Sequence, residues 1–191
     1  MSWKIKIIAL LACIILLNSC RQDPVPKPRG YFRLDLPKKA YRTFDPPCPY
    51  RFDVPEQAII LPSRSAEDSC WLNVHMPKYK QTIHITYKEV GADLFQLIED
   101  AHGFKSKHQV KADRIENIRV INSVAKVYGN IFNIEGNVAS PMQFYLTDSV
   151  DHFVYGAMYF NMVPNADSLD PVIQRSKEDL QYLVESFRWT N

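Results

Sequence analysis

From Gly30 onward, apolar and polar residues alternate in short runs separated by proline, and this period of two predicts β-strands. Gly30 to Leu36 sets Tyr31, Arg33 and Asp35 against Phe32, Leu34 and Leu36. Tyr50 to Val54, Ala58 to Leu61, Trp71 to His75 and Thr82 to Lys88 follow, with Pro46-Pro47, Pro55 and Pro62 as punctuation. Ile83, Ile85 and Tyr87 share one face of the last run, which places His84 on the solvent face with Thr82, Thr86 and Lys88. The period then changes. Leu94, Leu97, Ile98 and Ala101 recur at helical spacing, with Asp93 as N-cap and Gly103 as the stop. Phe104 to Asn122 fits neither period, and the basic residues His102, Lys105, Lys107, His108 and Lys111 read as a solvated helix or loop in preference to an anion site.

Three strands come next: Lys126 to Ile134, Met142 to Thr147 with Met142, Phe144 and Leu146 inward, and Phe153 to Phe160, apolar on both faces. Gly136-Asn137 and Asp148 to Asp151 supply the turns. Links this short demand antiparallel neighbours, since a parallel crossover needs a dozen residues or more. A strand apolar on both sides is one covered on both faces. The closing helix has Asp170 as N-cap and Pro171 at its first position, with Val172, Ile173, Leu180, Leu183, Val184 and Phe187 as its apolar stripe and Ser176, Lys177, Glu178, Asp179, Gln181 and Glu185 on the wet side. The order predicts an α+β fold, an antiparallel β-sheet flanked by helices in a single-domain layered sandwich. Its general look resembles the Mog1/PsbP-like fold, whose members often finish with a helix running into Ser-Phe, as Ser186-Phe187 does here.

The first twenty residues decide location. Lys4 and Lys6 precede an unbroken apolar run from Ile7 to Leu17, closed by Asn18-Ser19-Cys20. The run is short for about 30 Å of hydrocarbon, and it reads as a bacterial secretory signal ending in a lipobox. Leu17 and Ser19 upstream of Cys20 favour acylation of Cys20 over an ordinary signal that happens to end in cysteine. At about 0.8 kcal/mol per buried methylene, a diacylated and N-acylated Cys20 is a lasting anchor. The expected division is a signal peptide at 1–19, a lipidated Cys20 with a proline-rich tether at 20–29, and one periplasmic domain at 30–191. Pro24, Pro26 and Pro28 stiffen the tether to about 25 Å at ~3.1 Å per residue. Only one acid, Asp23, follows Cys20 closely, which favours a periplasm-facing position over export to the cell surface, with the outer membrane preferred to the inner.

Charge narrows the partners. The 23 Lys+Arg against 21 Asp+Glu include Lys4 and Lys6 of the leader, so the remaining chain is balanced and makes no electrostatic case for nucleic acid. Of the four cysteines, Cys13 leaves with the leader and Cys20 is the anchor, so Cys48 and Cys70 remain. In an oxidising compartment they are candidates for a disulfide; two separate buried thiols are the alternative. Their spacing is not C-x-x-C and no histidine pair stands at ligand spacing beside either, which argues against a metal site.

No segment dictates a reaction. Ser140 and Ser149 lack a G-x-S-x-G setting, the five histidines His75, His84, His102, His108 and His152 include no H-E-x-x-H, and six glycines build no phosphate loop. Asp148, Asp151 and His152 have the composition of a hairpin turn. Asn165 to Asp170 lacks the calcium-loop pattern and reads as a cap before the last helix.

The block Tyr128-Gly129 through Asp148-Ser149, with Ile134 to Ser149 reading IEGNVASPMQFYLTDS, resembles the gliding-motility lipoproteins of the GldD type from Bacteroidetes. The resemblance extends to Pro26 to Pro37, Cys48-Pro49-Tyr50, Cys70-Trp71, Lys107-His108, Lys111 to Asp113, Tyr159 to Asn161, Pro164-Asn165 and Ser186-Phe187 with Trp189. It departs at Ala101-His102-Gly103, where the family's acidic-serine-arginine segment would stand. It implies a lipoprotein needed for gliding motility and type IX protein secretion, a component or assembly factor and not an enzyme, without cofactor. Its partners would be membrane lipid through Cys20 and other envelope proteins of the machinery. Under this reading the ends of the sheet at Asn133, Asn137, Asn161 and Asn165 are candidate contacts, against their alternative as turn residues. A periplasmic ligand- or glycan-binding module, with a pocket lined by Trp71, Tyr79 and Tyr87, is the competing function. An envelope hydrolase would require Ser140 or Asp148 within hydrogen-bond reach of a histidine.

Overall fold

The computed structural model describes Trp3 and residues 36–63, 70–91, 93–161 and 166–190, with the backbone alone at 166–169. Cys20, the tether, nearly all of the leader and the strand expected at 30–36, save Leu36, lie outside these residues. Contacts divide the chain into residues 1–30 and residues 31–191, and every element below belongs to the second unit.

Seven strands build the main sheet: β3 (Ile59–Pro62), β4 (Leu72–Met76), β5 (Gln81–Glu89), β6 (Ala112–Asn122), β7 (Val127–Gly136), β8 (Met142–Thr147) and β9 (His152–Phe160), in the spatial order β3-β4-β5-β9-β8-β7-β6. All its pairings are antiparallel. Gly136, at φ +111, closes β7 in a conformation that side chains resist. A smaller sheet sets β2 (Tyr50–Pro55) between β1 (Tyr41–Phe44) and β10 (Arg188–Trp189).

Two helices cover opposite faces. Helix α1 (Leu94–Ser106) packs over β8 and β9, and α2 (Ala166–Ser186) lies against β2. The larger core gathers Ile83, Ile85, Phe144, Leu146, Val154 and Met158 of the main sheet with Leu180, Leu183 and Val184 of α2 and Phe52 of β2. The second core, beneath α1, joins Ala101 to Phe132, Ile134, Tyr145 and Phe153. Strand β9 therefore feeds both cores, as its two-sided apolar pattern requires. The protein is an α+β layered sandwich with a mostly antiparallel sheet.

Several boundaries differ from expectation, each for a local reason. Asp93 does cap α1, its carboxylate accepting from the Gln96 N–H at 3.2 Å, but Gly103 lies inside the helix, which continues to Ser106. The basic residues from His102 to Lys111 occupy the end of α1 and a turn, in line with a helix or loop, and the rest of the stretch that fitted neither period is the eleven-residue edge strand β6. Its edge position explains its blurred period, since exposed Ile118 and Ile121 sit beside charges and water reaches much of both faces. Helix α2 starts at Ala166, so Pro171 falls within it and not at its first position. Ser176 and Asp179 are buried, not wet. Strand β1, which no clear alternation announces, runs past that side of α2, and Tyr41 meets Asp179 there.

Candidate functional site

The residues proposed for hydrolysis are occupied by the fold. Asp148 Oδ1 accepts three backbone N–H groups, from Val150, Asp151 and His152, each at 2.9 Å. Burial alone would raise its carboxyl, but these donors and the His152 charge outweigh it and hold the group below its ordinary value. Ser140 is fully buried and donates to the Met142 carbonyl at 3.5 Å. Ser149 takes a left-handed conformation in the same turn as Asp148. Among the described residues, no group of three or more His, Cys, Asp or Glu is placed to hold a metal ion.

The histidines disperse. His102 packs edge-on to Phe132, and the half-buried His108 lies in the turn after α1, where burial lowers its pKa. His75 Nδ1 lies 2.9 Å from Thr82 Oγ1, and His84 Nδ1 lies 2.6 Å from Asn73 Oδ1. These two belong to an open surface. Ile59, His75, Thr82 and Tyr159 face one another across β3, β4, β5 and β9, and Leu61, Asn73, His84 and Ala157 form the neighbouring row. Helix α1 packs farther along this face, over β8 and β9, and leaves Ile59 50% and Leu61 48% exposed. Desolvation by the sheet surface, with His75 nearby, lowers the His84 pKa and favours a neutral imidazole there.

A second concentration of side chains stands where β5 ends and β9 begins. Pro49, Trp71, Tyr87, Lys88, Glu89 and His152 line an open cleft of about 600 Å³. The Tyr87 hydroxyl and His152 Nδ1 are 2.8 Å apart, and Trp71 Nε1 donates to the Tyr87 carbonyl at 2.7 Å. The His152 ring stacks on Trp189 of β10, centroids 5.2 Å apart at 24°, while Trp189 Nε1 donates to the Lys126 carbonyl at 3.1 Å. Cys48 and Cys70 are joined Sγ to Sγ beside this corner, with Cα atoms 5.6 Å apart. Trp71 and Tyr87 thus line one cleft, although Tyr87 is itself buried in the larger core, whereas Tyr79, buried in the same core, lines a different depression. Sequence reasoning missed His152 and Trp189 as members; an aromatic next to the terminal Ser-Phe was the available signal.

The asparagines expected as contacts differ among themselves. Asn133 is half-buried in β7, its Oδ1 buried without a hydrogen-bond partner among the described residues. Asn137 is exposed, and Asn161 is exposed with its N–H bonded to the Lys80 carbonyl at 2.7 Å. Asn165 lies outside the described residues. Ser186 and Phe187, part of the terminal motif, have structural work: Ser186 Oγ accepts the Asp53 N–H at 2.8 Å, and Phe187 stacks on Tyr50 and Phe52.

A family model described as "Gliding motility lipoprotein GldD" matches residues 21–189. A search of curated proteins finds no match. Among solved structures, the chain is similar to the solution structure of cyanobacterial PsbP (CyanoP) from Synechocystis sp. PCC 6803, at 13% identity and a TM-score of 0.49, over 83% of this chain and 97% of that one.

Proposed function

Because the chain belongs to the gliding motility lipoprotein GldD family, a membrane-anchored lipoprotein of the cell envelope with a role in gliding motility, we propose that it acts as a component or assembly factor of the motility and type IX secretion machinery. The observation that carries this is the open half of the main sheet. Apolar Ile59 and Leu61 stand there beside Asn73, His75 and His84, whose side chains are already hydrogen-bonded to one another's strands. Such a surface, apolar at one edge and held rigid by its own polar pairs, suits contact with another folded protein. The exposed Asn137 and Asn161 extend the contact region along the sheet ends.

In this reading the chain is not an enzyme, and Ser140 and Asp148 serve the fold. Acylated Cys20 holds it to the membrane, facing the periplasm, with the outer membrane favoured; no described helix is long and apolar enough to cross a bilayer. The Cys48–Cys70 bridge suits that oxidising compartment. The test is affinity purification of the lipidated protein from its own envelope after mild crosslinking, with Cys20→Ala as control. Recovery of secretion or gliding components that depends on Cys20 is the expected result. A clean preparation, from cells that still glide and secrete after depletion, would refute the proposal.

A further inference from the structure

We propose that the cleft between Trp71, Tyr87 and His152 is a saccharide-binding site that takes a segment of a neutral glycan chain of the cell envelope. A pyranose offers an apolar C–H face and a rim of hydroxyls, so its receptors combine aromatic rings with hydrogen-bonding groups of both kinds. The cleft has both. Trp71 and His152, both half-buried, supply ring surface over the buried Tyr87, while Lys88 and Glu89, both exposed and without a partner among the described residues, supply a donor and an acceptor side by side. Their charges cancel locally, which removes any preference for an ionic ligand and leaves hydroxyl recognition.

Shape agrees with a polymer. A volume of about 600 Å³ falls within the ordinary range of ligand clefts. Because the cleft opens to solvent, a chain can lie in it without threading an end. The rings are fixed in advance: Trp71 is tied to the Tyr87 carbonyl, and the His152 imidazole is held between the Tyr87 hydroxyl and the Trp189 ring. Little side-chain freedom is lost on binding. Glu89 is the one carboxylate among the described lining residues, whereas glycoside hydrolysis requires two flanking the bond. The proposed role is accordingly one of binding alone.

The two tryptophans after the leader, Trp71 and Trp189, both stand at this corner, so in a Trp3→Phe background the indole fluorescence reports from the site alone. Full-length protein in detergent is titrated with N-acetylchitotetraose and with cellotetraose, by fluorescence and by calorimetry. Saturable binding of at least one tetrasaccharide is expected, weakened about tenfold or more by Trp71→Ala and by the Lys88→Ala/Glu89→Ala pair. The exposed pair should leave the melting temperature unchanged, which keeps the test independent of folding. Absence of saturable binding by either sugar at millimolar concentration, or binding that survives both variants, overturns the proposal. Because these readouts need no motility component, the site stands or falls separately from the machinery reading.

Discussion

The Tyr41 hydroxyl donates to Asp179 Oδ1 at 2.7 Å, tying β1 to α2 across 138 residues of sequence. The same carboxylate receives Arg175 Nε at 3.1 and 3.2 Å, and Arg175 Nη1 reaches the Pro37 carbonyl at 3.1 Å. Burial first, and the Asp179 acceptor second, push the Tyr41 pKa well above its ordinary value, so the phenol remains a donor at any working pH. Asp179→Ala strands a buried guanidinium and should destabilise the protein by about 3–5 kcal/mol. Tyr41→Phe removes one charge-assisted bond and should cost about 1.5–3 kcal/mol. Chemical denaturation of both variants checks the order, which reverses if Arg175 is adequately solvated without its partner.

A charge placed on the open sheet face should separate contact from folding. Leu61→Asp on the edge strand β3 puts a carboxylate where a partner protein would bury leucine, while the half-exposed side chain leaves the core alone. The variant should melt within about 2 °C of the parent, the scale of a surface change near 0.5 kcal/mol in a domain of this size. It should also lose crosslinked envelope partners and gliding. Full motility in Leu61→Asp would remove this surface from the contact.

The Cys48–Cys70 bridge spans a sequence separation of 22 residues. Loop closure of that order is worth about 3 kcal/mol, or roughly 6–12 °C in melting temperature. Cys48→Ala/Cys70→Ala should show that loss, and reductant should then have no further effect on it. Because Cys70 immediately precedes Trp71, the double variant should also weaken tetrasaccharide binding. An unchanged melting temperature would mean that the two thiols contribute only as separate buried groups.

Acidification should destabilise the fold in two steps. His84 and His108 have folded pKa values below the ordinary 6.5, through desolvation and, for His84, the neighbouring His75. The unfolded chain therefore binds protons first, so their contribution is complete above pH 6.5 and declines as pH falls from there toward the lowered folded values. Asp148, held below its ordinary 3.8 by the turn amides and His152 against the opposing effect of burial, adds a second loss as pH falls below 3.8 toward its folded value. Melting temperatures followed from pH 7.5 to 3 should show both declines. His84→Gln should flatten the upper one, and an unaltered slope would exclude His84 as a contributor.

The strands legible in the sequence were those whose two faces meet different surroundings. In β5, Ile83, Ile85 and Tyr87 are buried while His84 is exposed, as the alternation indicated. Strand β1 was missed because its packing partner, the polar flank of α2, is remote in sequence, and that contact turned Asp179 from surface into core. Ser176 Oγ donates to Gln81 Oε1 at 2.7 Å, so a polar pair fills a place where a helical pattern counts only apolar residues. Strand β10 is two residues long, too short to show a period. Trp71 and Tyr87 could be grouped from sequence as aromatics of one pocket, though only together with Tyr79, which lies elsewhere. Their joining with His152 and Trp189 depends on β5 pairing with β9 and on β10 reaching β2, neither of which local pattern encodes.

The main sheet is two meanders, β3-β4-β5 and β6-β7-β8-β9, sewn along a single seam from Gln81↔Phe160 to Glu89↔His152. Within each meander, paired strands follow one another in the chain, but the seam forms only after the chain from Val90 to Asp151 has been brought back on itself, so its closure carries the largest loop entropy of the sheet. The same seam is where a mechanical load would be felt. A pull applied to the β3–β5 face against one applied at the far edge, on β6, is transmitted through the β5–β9 ladder alone within the sheet. Single-molecule pulling from Leu61 and Ile118 would accordingly rupture the protein between its two meanders, with each left to unravel afterward as a separate event.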